Sequence, residues 1–312
     1  MNRHIKIPLT LGWLAVQCAA YAPAFAASGT TAFEFLRLDN GARETALGGA
    51  ATASGDATQG IFYNPALISG LTRSNELSFY NSAWLADISY QNFVYSHQLA
   101  LNKNDYLGVR YQNLGYGTFA GYDAAGAKTS DYTSSSRLLG FTYGSALPNR
   151  VYVGVAIKGA WERIRDAHAA ALLVDAGVVI KTDWHQAAWG IAVRNAGGSI
   201  KYDRDWEHAP ITFALGCAIK PFGDVLMLSA DGGMIQEHSA GVKLGAEANY
   251  RKLLYLRGGW DSLVNAGPGL RFGFGVVIKD ISVDYAFLPM SDLGGTHHFG
   301  VKWAFNGLLP KK

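Results

Sequence analysis

The side chains best able to do chemistry in this chain are few and scattered. His297 and His298 are adjacent, and on a strand their side chains would point to opposite faces, so the pair does not make a metal site. His97, His168, His185, His208 and His238 lie far apart, mostly beside predicted strand ends. Serines are common in the loops, but no G-x-S-x-G nucleophile motif accompanies them. Gly48-Gly49 lacks the strand–loop–Lys context of a phosphate loop, and Asp56 after Gly55 reads as a turn former. Cys217 falls on an apolar strand face and reads as an inert small hydrophobe. No catalytic residue, metal ligand or cofactor-binding residue is predicted, and an enzyme is not expected.

The elements that must position these residues are strands. Phe299, Val301, Trp303 and Phe305 alternate with Gly300, Lys302 and Ala304; Phe272, Phe274, Val276 and Ile278 alternate with Gly273, Gly275 and Val277. The same period-2 pattern runs through Val151–Ile157, Ile211–Ile219 and Ile281–Phe287. About fourteen such segments begin near Glu76, Ala86, Asp105, Ser136, Arg150, Ala169, Gln186, Pro210, Asp224, Ser239, Lys252, Gly269, Ile281 and Thr296, an even number of the kind that closes a bacterial barrel. Their connections alternate between short turns, such as Pro148-Asn149 and Lys279-Asp280, and longer loops, chiefly Gly115–Ser135 and Ala196–His208. Short periplasmic turns and long external loops are the rule in outer-membrane barrels. Trp84, Trp161, Trp189, Trp260 and Trp303 sit where interfacial aromatic girdles would lie.

The face opposite the apolar one is built largely from Gly and Ala: Gly154, Ala156, Gly190, Ala192, Gly216, Gly245, Gly273, Gly275 and Gly300. A water-filled porin would carry a strongly polar face there. Sparse charges break it, namely Lys158, Arg194, Lys243, Glu247, Arg271 and Asp284, all predicted to face the lumen. Small inward residues leave room for protein inside the barrel. The segment free to fill it is Gly41–Leu71, which is rich in Gly and Ala and has almost no alternation. Within it Asn64 can cap a short helix, Pro65 suits its first position and Gly70 can end it; Arg43–Leu47 can form another turn.

Composition agrees with such a fold. Only 16% of the 312 residues are charged, while Gly (37), Tyr (16) and Trp (8) are plentiful. The formal charge of +3 and the absence of basic runs give no sign of nucleic-acid binding. Arg3, His4 and Lys6, an apolar stretch from Ile7 to Val16 and Ala24-Phe25-Ala26 have the form of a Sec signal peptide. After its removal Cys217 would be the sole cysteine. The expected organisation is a signal peptide at 1–26, an N-terminal plug segment at 27–75, an outer-membrane β-barrel at 76–306 and a short tail at 307–312.

Gly41-Ala42-Arg43, Ala46-Leu47-Gly48-Gly49-Ala50, Phe62-Tyr63-Asn64-Pro65-Ala66 and Gly70-Leu71 together resemble the start of the PorV/PorQ-type outer-membrane proteins, themselves similar to FadL-like outer-membrane transporters. The resemblance implies an all-β fold: an antiparallel transmembrane β-barrel of about 14 strands with an N-terminal plug (hatch) in the lumen. Gly41, Arg43, Gly48, Gly49, Asn64, Pro65 and Ala66 carry over as a plug motif, not as a catalytic site. It also implies the outer membrane of a Gram-negative-type bacterium, with lipid and the barrel-assembly machinery as partners. Two functions follow from it. One is FadL-like passage of small hydrophobic molecules; the other is type IX secretion, in which the barrel binds the C-terminal domains of exported proteins. A structural surface barrel without transport is the third alternative. One departure is the chain end, since Phe305 is followed by seven more residues rather than closing the chain.

Overall fold

The computed structural model describes residues 32–306, except 84–87, 124, 199, 203–204, 237–239, 265–266 and 292–293. The expected signal peptide, Trp84, His238 and the tail at 307–312 lie outside the described residues.

Fourteen strands close an antiparallel barrel. They are β1 (Asn75–Ala83), β2 (Ser89–Gln98), β3 (Asp105–Phe119), β4 (Tyr132–Leu147), β5 (Val151–Ile164), β6 (Ala167–Lys181), β7 (Ala188–Gly197), β10 (Thr212–Ile219), β11 (Leu226–Ile235), β12 (Ala240–Tyr250), β13 (Leu254–Asp261), β14 (Leu270–Ile278), β15 (Ile281–Pro289) and β16 (Gly295–Phe305). Two three-residue strands, β8 (Ile200–Tyr202) and β9 (Asp205–Glu207), pair as a separate hairpin within the connection from β7 to β10. Closure is made by β1 against β16, from Asn75 opposite Phe305 to Ala83 opposite His297. It leaves no strand edge open, and hydrocarbon cannot satisfy an unpaired N–H or C=O, which costs several kcal/mol each.

Alternation decides which way each side chain points. Phe79, Phe141, Val155, Ile157, Ile191, Phe213, Leu215, Phe272, Phe274, Phe299, Val301 and Trp303 are exposed on the outside. Their strand neighbours Tyr80, Thr142, Ala156, Ala192, Ala214 and Arg271 are buried. Such an apolar belt on a closed barrel is the lipid face of a membrane protein. Trp161, Trp189, Trp260 and Trp303 lie in it.

One local expectation needs correcting. The loop expected at Gly115–Ser135 is shorter, because β3 runs on to Phe119 and β4 starts at Tyr132. A register shift between Gly115 and Thr118 breaks the alternation there, so the sequence pattern stops before the strand does. The start expected near Ala86 lies outside the described residues, with β2 described from Ser89, and the long connection expected at Ala196–His208 contains the β8–β9 hairpin. Turns at the other end are tight: Asn149-Arg150 and Arg251-Lys252 each place two consecutive residues at positive φ, which suits a hairpin between right-twisted strands.

The N-terminal segment folds as short helical pieces: a 3-10 turn at Glu34–Arg37, α1 at Ala42–Ala46, and 3-10 turns at Gln59–Phe62 and Pro65–Gly70. Nearly every residue from Asn40 to Ser69 is buried. Three apolar clusters combine this segment with inward wall residues, for example Phe33 and Phe35 with Leu114, Leu138 and Leu173, and Ile61 and Ile68 with Val94 and Tyr106.

Candidate functional site

The glycines of the inner wall mark where the N-terminal segment touches it. A Cβ on Gly154 would lie 2.4 Å from the backbone of Pro65 and Ala66; on Gly190, 2.3 Å from the Thr52 carbonyl; on Gly245, 2.7 Å from the Leu47 carbonyl; on Gly273, 2.5 Å from the Ala46 Cβ. Distances this short admit hydrogen and nothing larger, so the wall is bare there because the segment occupies the place of side chains. Gly48 and Gly49 meet the wall in the other sense. Both have positive φ, and a Cβ would strike the Trp260 and Leu244 carbonyls from the first and the Asp39 and Lys243 side chains from the second.

Asn64 shows why this residue type stands at its place. Its Oδ1 accepts from Ala66 N (3.0 Å), capping the turn that Pro65 opens. Its Nδ2 donates to the Thr52 carbonyl (2.9 Å) and to the Val178 carbonyl of β6 (3.1 Å). One side chain thus holds two turns of the segment together and fastens both to the wall.

Five of the six charges expected in the lumen, all but Arg194, sit in three ionic groups. In the first, Asp39 of the segment meets Arg271 and Lys243, and both cations also reach Asp261 (2.8 and 3.2 Å). Burial acts against the Asp39 carboxylate, but Arg271 and Lys243 prevail and hold its pKa below the ordinary range. In the second, Arg43 forks onto Glu247 (2.9 and 3.1 Å), which also accepts from Arg257, itself paired with Asp284. In the third, Lys158 and Arg110 share Asp175 at 2.6 Å each, while Arg110 donates to the Ile61 carbonyl. Arg194 donates to the Phe62 carbonyl (3.0 Å) and lies over the Tyr63 ring. Lys302 reaches Asp56 (3.1 Å), and Asp56 also accepts from the Thr58 and Gln59 amides as a turn former does. His298 points inward to Tyr80 and Thr296, whereas His297 points outward to Tyr285. Among the described residues no group of three or more His, Cys, Asp or Glu could hold a metal ion.

Sequence reading did not single out Asp39, Glu44, Arg110, Asp175, Asp231, Arg257 or Asp261. Parity along the strand was the available signal for Arg110 and Asp231, which share the inward face with Gly108 and Gly233. Glu44 touches the second ionic group at Arg43. It is fully buried; Oε1 accepts from the Asp56 amide (3.0 Å) and lies 3.4 Å from Arg43, while Oε2 has no hydrogen-bond partner. Burial and the neighbouring Asp56 raise its pKa to about 7.

Two cavities flank the segment. The upper one, about 310 Å³, lies toward the longer loops. Leu36, Leu38, Ile235, Leu263, Leu288 and Met290 give it apolar walls, and Asp39, Tyr63, Arg194, Asp231 and Lys243 a polar floor. The lower one, about 570 Å³, lies toward the short turns and is lined by Arg43, Asp56, Leu67, Lys181, Met227 and Lys302 among others. An apolar recess with a few placed polar groups is the usual form of a small-molecule site.

Solved structures share this architecture. The chain aligns with the crystal structure of the Pseudomonas putida toluene transporter TodX at TM-score 0.54 and 16% identity, over 84% of this chain and 96% of that one. It aligns with a Pseudomonas aeruginosa FadL homologue at TM-score 0.58 and 11% identity, over 86% and 99%. The chain shares their fold. No family model matches the sequence, and no curated protein does. The barrel of the resemblance to FadL-like proteins is therefore present, while the likeness to PorV/PorQ-type proteins rests on the sequence alone, across about residues 30–90.

Proposed function

We propose that this protein resides in the outer membrane and passes small hydrophobic molecules through a plugged barrel, with residues 27–75 as the plug. The observation that carries the reading is the pair of cavities on opposite sides of one luminal segment. Apolar walls toward the loops would collect a solute from outside, and the segment decides whether it goes on. Gly41, Arg43, Gly48, Gly49, Asn64, Pro65 and Ala66 are the residues that shape and fasten the plug. The toluene carried by the TodX transporter, whose fold this chain shares, fits a hydrophobic cargo. Cells carrying the protein in an intact outer membrane are expected to accumulate labelled toluene or a medium-chain hydrocarbon faster than vector-only cells. Equal rates, with the barrel shown to be folded by its heat-modifiable gel mobility, would refute the reading.

A second reading rests on Phe62-Tyr63-Asn64-Pro65-Ala66 and the glycines before it, which resemble the PorV/PorQ-type start. In it the barrel receives the C-terminal domain of an exported protein. Co-purification of such domains with the intact barrel supports this reading; their absence from crosslinked native membranes removes it.

A further inference from the structure

One turn of the segment, Thr52–Ser54, separates the two cavities: Thr52 lines the upper one, and Ala53 and Ser54 line the lower. This turn sits in a recess made by two glycines that face each other across neighbouring strands, Gly190 of β7 and Gly216 of β10. A Cβ on Gly216 would lie 2.8 Å from the Thr52 Cβ and 3.1 Å from Ala53 N. One wall side chain clasps the turn. Asp231 of β11 accepts from Thr52 N through Oδ2 at 2.8 Å.

Asp231 is an odd residue for a structural role. It is 6% exposed, its Oδ1 has no hydrogen-bond partner, and among the described residues it makes no ion pair. Its cross-strand neighbour Lys243 turns instead to Asp39 and Asp261. Unlike the cation-paired carboxylates elsewhere in the lumen, Asp231 meets the segment through hydrogen bonds from Thr52 and Ala51. The other side of the segment is tied more heavily. There Asn40 accepts from Tyr90, Asn92 and Gln112, and Tyr63 bonds Asp39 and Asn40.

We propose that the Thr52–Ser54 turn is the crossing point between the cavities and that Asp231 is its latch. Solute passes when the turn leaves the Gly190–Gly216 recess, along the β7–β10–β11 wall, while the rest of the segment stays docked. The proposal rests on the transport reading for its biological meaning, but it concerns only where the lumen opens. Asp231 acts through the turn it holds and is a positioning residue.

The full-length protein, reconstituted in liposomes, tests this by swelling in arabinose, a small uncharged solute that does not cross lipid. Asp231→Ala removes a hydrogen bond to a charged acceptor and is expected to speed swelling roughly tenfold or more. Asp231→Asn keeps an acceptor for Thr52 N and is expected to stay near the wild-type rate, which a general loosening of the wall would not allow. In a Cys217→Ser background, an oxidised Thr52→Cys/Gly216→Cys pair added to Asp231→Ala is expected to restore the closed rate, with reductant reversing it. The pair needs about 1 Å of outward shift to reach the usual Cβ separation of a disulfide. A control pair away from the turn, Ala46→Cys/Gly273→Cys against β14, is expected to leave the Asp231→Ala rate high. Heat-modifiable mobility reports that each variant is folded. The proposal is overturned if folded Asp231→Ala swells like wild type, or if the control pair closes the barrel and the Thr52/Gly216 pair does not. Either result leaves toluene uptake by cells untouched as a test of the transport reading.

Discussion

Glu44→Gln should stabilise the docked N-terminal segment at alkaline pH and do nothing at acid pH. The magnitude follows from the surroundings of the carboxyl. Arg43, its nearest cation at 3.4 Å, is already engaged by both oxygens of Glu247, and Asp56 stands on the other side with its own partner Lys302. Burial first, and the Asp56 charge second, raise the Glu44 pKa from 4.5 to about 7. A carboxyl whose pKa is higher in the docked state binds its proton more tightly there. The docked state is therefore favoured fully below pH 4.5, loses ground as pH rises toward 7, and is flat above. The difference of about 2.5 units corresponds to about 3 kcal/mol at full deprotonation. Gln cannot ionise, so its variant escapes that cost. Hydrogen exchange of the amides of Thr45, Leu47 and Gly48, corrected for intrinsic rate and run from pH 4 to 9, reads the local opening free energy. Wild type is expected to lose protection through this range, and the variant to hold a constant value. The reasoning is refuted if both show the same pH dependence, because Glu44 would then titrate as an ordinary solvated carboxyl.

Acid should release the segment by the opposite sign. Asp39 and Asp56 have pKa values held below 3.8 by their cations despite burial, so their ion pairs stabilise docking above that value. Protection of the same amides is expected to fall only as pH drops well below 3.8. Asp175→Ala leaves Arg110 and Lys158 buried without their shared carboxylate and should cost about 3–5 kcal/mol in urea unfolding of the vesicle-bound barrel. Asn64→Ala removes a cap and two cross-ties and should cost about 1–3 kcal/mol, read as lost exchange protection at Thr52–Ser54 and Ala66–Ile68 without loss of the barrel. Arg73→Ala breaks an exposed pair with Asp280 and should change stability by less than about 1 kcal/mol.

The barrel was legible in the sequence because lipid enforces one rule on every strand: alternate residues must be apolar. Phe299, Val301 and Trp303 obey it, and so does Ile157 beside Ala156 and Lys158. The pattern fails where the rule lapses. At the β3–β4 end the register shift between Gly115 and Thr118 breaks the period, so both strands run beyond their readable part. The ionic groups were legible only in half. Lys158 and Arg271 stand out on an inner face of small residues, but their partners do not. Asp175 lies at a second register shift, between Val174 and Ala176, where Oδ1 accepts from the Asn195 amide. Asp39 lies outside the strands altogether, 232 residues from Arg271. Pairing across such separations is a property of the closed wall, and alternation says nothing about it.

The two halves of the wall hold the N-terminal segment by different means, and the difference bears on how it can move. On β1, β2 and β3 the inward residues are large and polar: Tyr80, Tyr90, Asn92, Arg110 and Gln112, all buried. They reach Asp39, Asn40 and Ile61 through hydrogen bonds. From β7 to β14 the wall recedes to glycine at Gly190, Gly216, Gly245 and Gly273, where the segment packs directly on the bare strands, and the ion pairs of Arg43 with Glu247 and of Asp39 with Arg271 and Lys243 hold it beside them. A side-chain network is lost in several steps, each leaving buried polar groups unpaired at about 1–3 kcal/mol. A glycine recess holds by shape, so leaving it exposes little that needs a partner. Displacing the Thr52–Ser54 turn alone keeps the β1–β3 anchor and the Arg43 and Asp39 ion pairs, and so breaks fewer polar contacts than displacing the whole segment. It is also the displacement that joins the upper cavity to the lower one, because the turn between them rests on Gly190 and Gly216.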